Sequence, residues 1–258
     1  MKIIDIDSFE HLIQILRKEE YQCGHVVFKG VTDQIKHTLI PAVGRLIDYK
    51  SEPLYELVRH EKALLSLYRH KAFGEISKIP HNDWVWLALG QHHKLPTRLL
   101  DWTYSPLVAA FFATEPKVNS EGKLLPLCEK GGAIYILHDC NYLDAYNPKP
   151  KDKNPFAVKD HKIVYAPVIT NRIAGQGGLF TVSPDPRIEF QNGFEGNEED
   201  KFNPRWIHKL VFSQKTGMEI QRTLHFLGIR EGSIFPDIDG FGVDTKIRFA
   251  ISDCHAMY

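Results

Sequence analysis

"LALGQHHKLPTRLLDWTYSPLVAAFFATEP", residues 87–116, sets two histidines, an arginine and an aspartate ahead of the longest strongly apolar run in the chain. Pro96 stops any helix that precedes it, because a proline disfavours helical backbone at the residue before it. Ser105 and Pro106 then make a clean helix start: a hydroxyl at the cap, and a proline in the first turn where its missing N–H costs nothing. "PLVAAFFA" is apolar on every face, so this helix is expected to be central and solvent-excluded through Phe112.

Working outward, "HNDWVWLALGQHH" reads as a helix capped by Asn82 or Asp83. A longer helix is expected from Pro53 to about His70, with Leu54, Leu57, Val58, Leu64, Leu65 and Tyr68 as its stripe. Glu61 falls in the middle of that stripe. A buried carboxylate needs a partner, since desolvating it alone costs several kcal/mol in order of magnitude. Two readings of the polar cluster stand side by side. Glu61, Arg98 and Asp101 can form one structural salt-bridge network, or Arg98 can offer its guanidinium fork to an anionic ligand such as a pyrophosphate. His92 and His93 cannot both face the same way, so one of them is free to face a cleft.

Elsewhere the pattern alternates between short strands and loops. "KIIDI" is a strand, followed by a helix capped by Asp7 or Ser8 with Phe9, Leu12, Ile13 and Leu16 on one face. "HVVFKG" (25–30), "GGAIYIL", "KIVYAPVI", "GGLFTVS" and "WIHKLVF" read as further strands. The lysine- and proline-rich stretch "YNPKPKDKNPFAVKDHK" and the acidic "NGFEGNEEDKFNP" read as loops. Residues 217–228 read as a short helix, and "EGSIFPDIDGFG" (231–242) is a further candidate segment through Asp237 and Asp239, set against the reading that aspartates beside Pro236 and Gly240 only close turns. Helices are expected to dominate the first 115 residues and strands the next hundred. That segregation predicts an α+β fold, a helical N-terminal part packed on a mainly antiparallel sheet, within one domain over 1–258.

Composition excludes several classes. The 258 residues are 43% apolar and 25% charged with a formal net charge of zero, which argues against a broadly basic nucleic-acid surface. The lysines at 149, 151, 153, 159 and 162 could still form a local patch. The four cysteines are far apart without CxxC spacing, so neither a disulfide scaffold nor a zinc site is expected and a reducing, cytoplasmic setting fits. Adjacent histidines do not reproduce HExxH geometry, and no metal is expected. No apolar run is long enough for a bilayer, so no membrane partner is expected either. G-x-S-x-G, GxGxxG and Walker A sequences are all lacking.

A second candidate segment is "NRIAGQGGLFTVS" (171–183), where glycines flank Gln176 and let backbone approach a ligand, with Phe180 and Thr181 entering the strand. Lys29, His92, Arg98 and Gln176 all stand where backbone elements stop, and they are expected to converge on an anion pocket.

"VVFKGV", "WLALGQHHKLPTRLLDWTYSPLVAAFFA", "NRIAGQGGLFT" and "LGIREGSIFPDIDG" together resemble the FRG domain family, over roughly residues 20–245. That family also expects an acidic residue on the long helix, where Glu61 stands. It is found mostly in bacteria and their mobile elements and has been suspected to be related to ADP-ribosyltransferases. The resemblance therefore implies an ADP-ribosyltransferase-like fold and an NAD-dependent transferase or glycohydrolase, a toxin or antiphage effector with a protein acceptor.

By that likeness Lys29, Gln91, Arg98, Gln176, Phe180 and Thr181 would bind the cofactor NAD or another anionic small molecule. His92, Glu219 and Asp237 would carry the catalysis. The motif departs from the family in one place: Lys29 stands where FRG has its arginine, keeping the charge without the rigid fork. A non-catalytic module binding a nucleotide or a protein is the alternative reading.

Overall fold

The computed structural model describes residues 1–167, 175–200 and 204–251. Among these, eight strands form one open sheet in the order β1-β8-β4-β2-β3-β7-β6-β5. They are β1 (Lys2–Ile6), β2 (Val26–Val31), β3 (Leu100–Thr103), β4 (Ala133–His138), β5 (Tyr142–Asp144), β6 (Lys162–Tyr165), β7 (Gly178–Val182) and β8 (Trp206–Phe212). The interior pairings are antiparallel, while each outermost strand runs parallel to its neighbour, β1 to β8 and β5 to β6.

The helices are α1 (Phe9–Leu16), α2 (Leu54–Ala72), α3 (Asp83–His92), α4 (Pro106–Ala113), α5 (Phe190–Gly193), α6 (Gln214–Phe226), α7 (Glu231–Ile234) and α8 (Ile238–Ile251). The expected caps are in place: Ser8, Asn82 and Ser105 each accept a hydrogen bond from a backbone N–H of the first turn, satisfying donors the helix itself cannot.

The fold is mixed α+β with helices interspersed among the strands: helices dominate the first 115 residues and strands the next hundred, as expected, but neither is confined there. Three strands fall within the first 115 residues. β3, "LDWT", is too short to show an alternation and sits between a proline turn and a helix cap. At the other end, the turn reading of 231–242 gives way to α7 and α8. Asp237 Oδ1 accepts from Gly240 N at 2.9 Å at the head of α8, as an N-cap does.

Side-chain alternation divides the core. On β2, Val26 and Phe28 join the cluster beneath α1, α4 and α6, whereas Val27 and Val31 join a second cluster with Leu100, Trp102 and Tyr135. Helices α2 and α3 cover the other half of the sheet, packing Leu65, Trp84 and Leu87 against Phe180 and Val182. One helical layer therefore serves β1-β8-β4-β2 and another serves β3-β7-β6-β5. The halves meet at a thin seam, where β2 and β3 share a single paired position, Phe28↔Thr103.

Helix α4 is central as expected, but its solvent exclusion stops short of Phe112, which lines a cavity. Val108, Ala109, Ala110, Phe111 and Ala113 are buried, and Phe112 is half-buried. Its close approach to β2 requires Gly30: a Cβ there would come within 1.9 Å of the Ala109 carbonyl oxygen. The last residue of "FKG" is thus fixed by helix packing.

Candidate functional site

The seam is spanned by a side chain. Lys29 Nζ donates to the Asp101 carbonyl oxygen at 3.0 Å, tying β2 to β3 where their ladder has stopped. Burial holds the Lys29 pKa below the ordinary lysine value; the Asp101 carboxylate opposes that shift and Arg45 adds to it.

Two cavities open beside this bridge, and both are lined by Lys29, Val31, His37 and Asp101. The first, of about 360 Å³, is closed by Phe112 and Phe235 and also lined by Thr32, Glu115 and Gln176. The two rings meet edge to face, 6.1 Å apart. The second, of about 410 Å³, is lined also by Arg45, Gln91 and the turn at 41–42. Volumes of this size suit small-molecule ligands.

The polar groups around the seam are held in place. Thr97 Oγ1 donates to Gln91 Oε1 at 2.6 Å, and Gln91 Nε2 donates to Asp101 Oδ2 at 2.8 Å. Gln176 is fixed through its backbone, whose carbonyl accepts from Thr103 Oγ1 at 2.6 Å. The next residue, Gly177, has φ +53 and gives its carbonyl to Tyr104 N, a conformation that favours glycine. His37 Nδ1 accepts from Asp33 N at 3.2 Å. In the neutral ring its proton therefore sits on Nε2, a donor available to a ligand. Asp33 itself is held at about 2 by the backbone N–H groups of Lys36 and Ile35.

The structure brings together Lys29, Gln91 and Gln176 from the expected set, but Arg98 lies elsewhere. Its side chain is fully buried against Glu61, with Nε to Oε1 at 2.9 Å, Nη2 to Oε2 at 2.5 Å, and Nη1 to the Pro155 carbonyl at 3.0 Å. Glu61 is 3% exposed, so the expected Glu61–Arg98 pair forms. Asp101 is not part of it, because Arg98 has committed its donors to Glu61 and Pro155 while Asp101, exposed on β3, takes Gln91. The bond network beneath the cleft is thus two separate ones.

The expected meeting of Lys29, His92, Arg98 and Gln176 is only half met. His92 packs edge to face on His93 at 5.0 Å and lines neither seam cavity. Thr181 is fully buried and accepts from Trp102 Nε1 at 2.9 Å, and Phe180 packs in the core under α3. Glu219 accepts from Phe9 N at 2.9 Å at the start of α1, and Asp237 caps α8. Of "NRIAGQGGLFTVS", residues 171–174 lie outside the described residues.

His37, Glu115, Phe112 and Phe235 line these cavities without being among the site residues expected from the sequence. The signal for Phe112 was present, since an all-apolar helix must still end somewhere. For His37 and Glu115, isolated residues in loops, no local signal existed.

Residues 24–122 match the family model for the FRG domain. That span holds the bridging lysine, the glycine beneath α4, the buried Glu61–Arg98 pair and the whole of β3. No curated protein and no solved structure matches the chain. Among the described residues no helix is long and apolar enough to cross a membrane, and no group of three or more His, Cys, Asp or Glu is placed to hold a metal ion.

Proposed function

We propose that this chain uses its FRG domain to bind an NAD-class dinucleotide, or a related anionic small molecule, at the β2–β3 seam, and there acts as an ADP-ribosyltransferase- or NAD glycohydrolase-like enzyme. The observation that carries the reading is the lysine bridge: one half-desolvated cation between two cavities, at the seam where β2 and β3 share a single paired position.

In this reading the Lys29 ammonium pairs with the ligand's phosphates, where low water content strengthens the attraction. Phe112 and Phe235 form the apolar wall for a planar ring. Gln176 and the His37 Nε2–H donate to ribose hydroxyls. The acidic role goes to Glu115, a carboxylate of the same cavity, which would face the positive charge that develops as a glycosidic bond to nicotinamide breaks. Glu219 and Asp237 are assigned structural duties instead. The functional unit extends past residue 122 to about residue 245, because Gln176 and Phe235 complete the cavity and β7 and β8 complete the sheet.

The non-catalytic alternative is favoured by one observation: Lys29 already spends one of its three N–H donors on the Asp101 carbonyl, so part of its role is to tie the two strands together. Incubation of the purified chain with NAD separates the two. Release of nicotinamide that is lost in Glu115→Gln supports the enzyme. Saturable binding of NAD without release, weakened in Lys29→Ala, supports the binding module. Neither release nor binding sinks both. A Lys29→Arg variant is expected to bind more tightly, since a planar fork can keep a bond to Asp101 O and still present two parallel donors to a phosphate.

A further inference from the structure

A separate cavity of about 330 Å³ lies on the far layer of helices, between α2, the start of α3 and the lysine-rich loop, lined by Lys62, Ser66, Arg69, Asp83, Lys153 and Asn154. Here the sequence's lysine patch meets a built wall. Lys62, Ser66 and Arg69 recur on one face of α2 at helical spacing. The loop opposite is pinned at several points by bonds to buried groups. Trp84 Nε1 donates to the Asp152 carbonyl at 2.8 Å, Lys162 pairs with Asp152 at 3.4 Å, and Arg98 donates to Pro155 O at 3.0 Å. Within the loop, Asn154 Oδ1 accepts from Phe156 N at 3.0 Å, which leaves its amide NH₂ as a donor.

The charges do not cancel. Arg69 meets the only carboxylate among the lining residues, Asp83, at 2.5 Å. Among the described residues Lys62 and Lys153 have no carboxylate within ion-pairing distance. The Lys62 ammonium is instead held 5.8 Å from the centre of the Phe156 ring, whose neighbour is the Arg98 guanidinium at 5.3 Å. Arg69 Nε is buried and has no hydrogen-bond partner. The wall therefore offers two uncompensated cations, the lining guanidinium of Arg69 and an amide donor, in a space larger than one tetrahedral anion.

We propose that this cavity is a binding site for a diphosphate group, distinct from the Lys29 seam and independent of the function proposed there. Two net positive charges call for a ligand with more than one negative charge. A guanidinium beside ammonium groups suits phosphoryl oxygens by both charge and geometry, and the pinned loop means little ordering is needed on binding.

The test titrates the full chain with inorganic pyrophosphate at about 50 mM salt, by calorimetry and by amide shifts, and then repeats it at about 250 mM, where screening weakens exposed charge pairs. Saturable binding that perturbs the amides of residues 62–69 and 153–156 is expected, weaker at the higher salt. Lys62→Glu with Lys153→Glu should weaken the binding those amides report by about tenfold or more, the scale of one lost charge-assisted contact, while Lys29→Ala leaves the titration of those amides unchanged. Both lysines are exposed, and a Lys62→Gln, Lys153→Gln pair serves should the reversed charges upset folding. A nucleoside diphosphate that binds more tightly than pyrophosphate would identify a nucleotide as the source of the group; equal affinity would identify free diphosphate. Wild-type affinity in both double variants overturns the proposal. So does loss of the shifts at residues 62–69 and 153–156 in Lys29→Ala, or no saturation of those shifts up to about 5 mM pyrophosphate, weaker than any useful site.

Discussion

At the scale of single residues, the buried ion pair and the strand glycine carry the sharpest consequences. Arg98→Ala leaves the Glu61 carboxylate buried without its partner, and chemical denaturation should show a loss of roughly 3–5 kcal/mol. Replacing both residues with apolar groups of similar volume should recover most of it, because a buried pair adds little over good packing. A loss well under 1 kcal/mol for the single change would show that Glu61 finds water or another donor. Gly30→Ala is expected to destabilise by about 1–3 kcal/mol, the usual cost of overpacking, since its Cβ would meet the backbone of α4 rather than a side chain able to move. An unchanged melting temperature would mean that α4 can back away from β2. Glu61 was legible in the sequence because a charge on an apolar stripe has few explanations. Its partner's third bond, to Pro155 O, was not, because nothing near Arg98 points to a loop 57 residues later.

At the scale of elements, α4 and β3 make an instructive pair. Both lie in the stretch "LLDWTYSPLVAAFFA". The helix could be read at once, from a serine cap, a proline in the first turn and eight residues without a polar face. The strand could not, because four residues give too little alternation, and its place is decided by β7 pairing along its whole length. Hydrogen exchange should find the amides of residues 109–113 among the slowest in the molecule, since they are buried and bonded within a central helix. Those of β3 on the side facing β2 should exchange faster than those paired with β7. Equal protection on the two sides of β3 would contradict a seam. The site was legible to the same extent as its elements: Lys29 and Gln176 stood at visible element ends, whereas the choice of Glu115 over Glu219 depends on which helix end meets which strand.

At the scale of the whole molecule, stability should depend on buried imidazoles. Burial lowers the pKa of His138, His161, His208 and His225 below the ordinary histidine value. The unfolded chain then binds protons before the folded one does. Stability is at its full value above the ordinary histidine pKa of about 6.5 and falls as pH drops below it toward the folded values. Thermal melts should therefore shift downward between about pH 7.5 and pH 5.5, and replacing His208 with Gln should flatten that slope. A melting temperature that rises on acidification across this window would contradict the assignment. His208 sits where this matters most, accepting or donating to Tyr21 OH at 2.9 Å and stacked on Trp206.

The parallel pairing of β1 with β8 also dictates an order of events during synthesis. Lys2 lies opposite His208 and Ile6 opposite Phe212, and the start of α1 is held by Glu219. A ribosome adding about 5–20 residues per second leaves the first strand waiting for roughly 10–40 s before its neighbour emerges. β2 faces a shorter wait for β4, with which it pairs over its full length. β2 and β4 can therefore pair during synthesis while β1 still waits for β8.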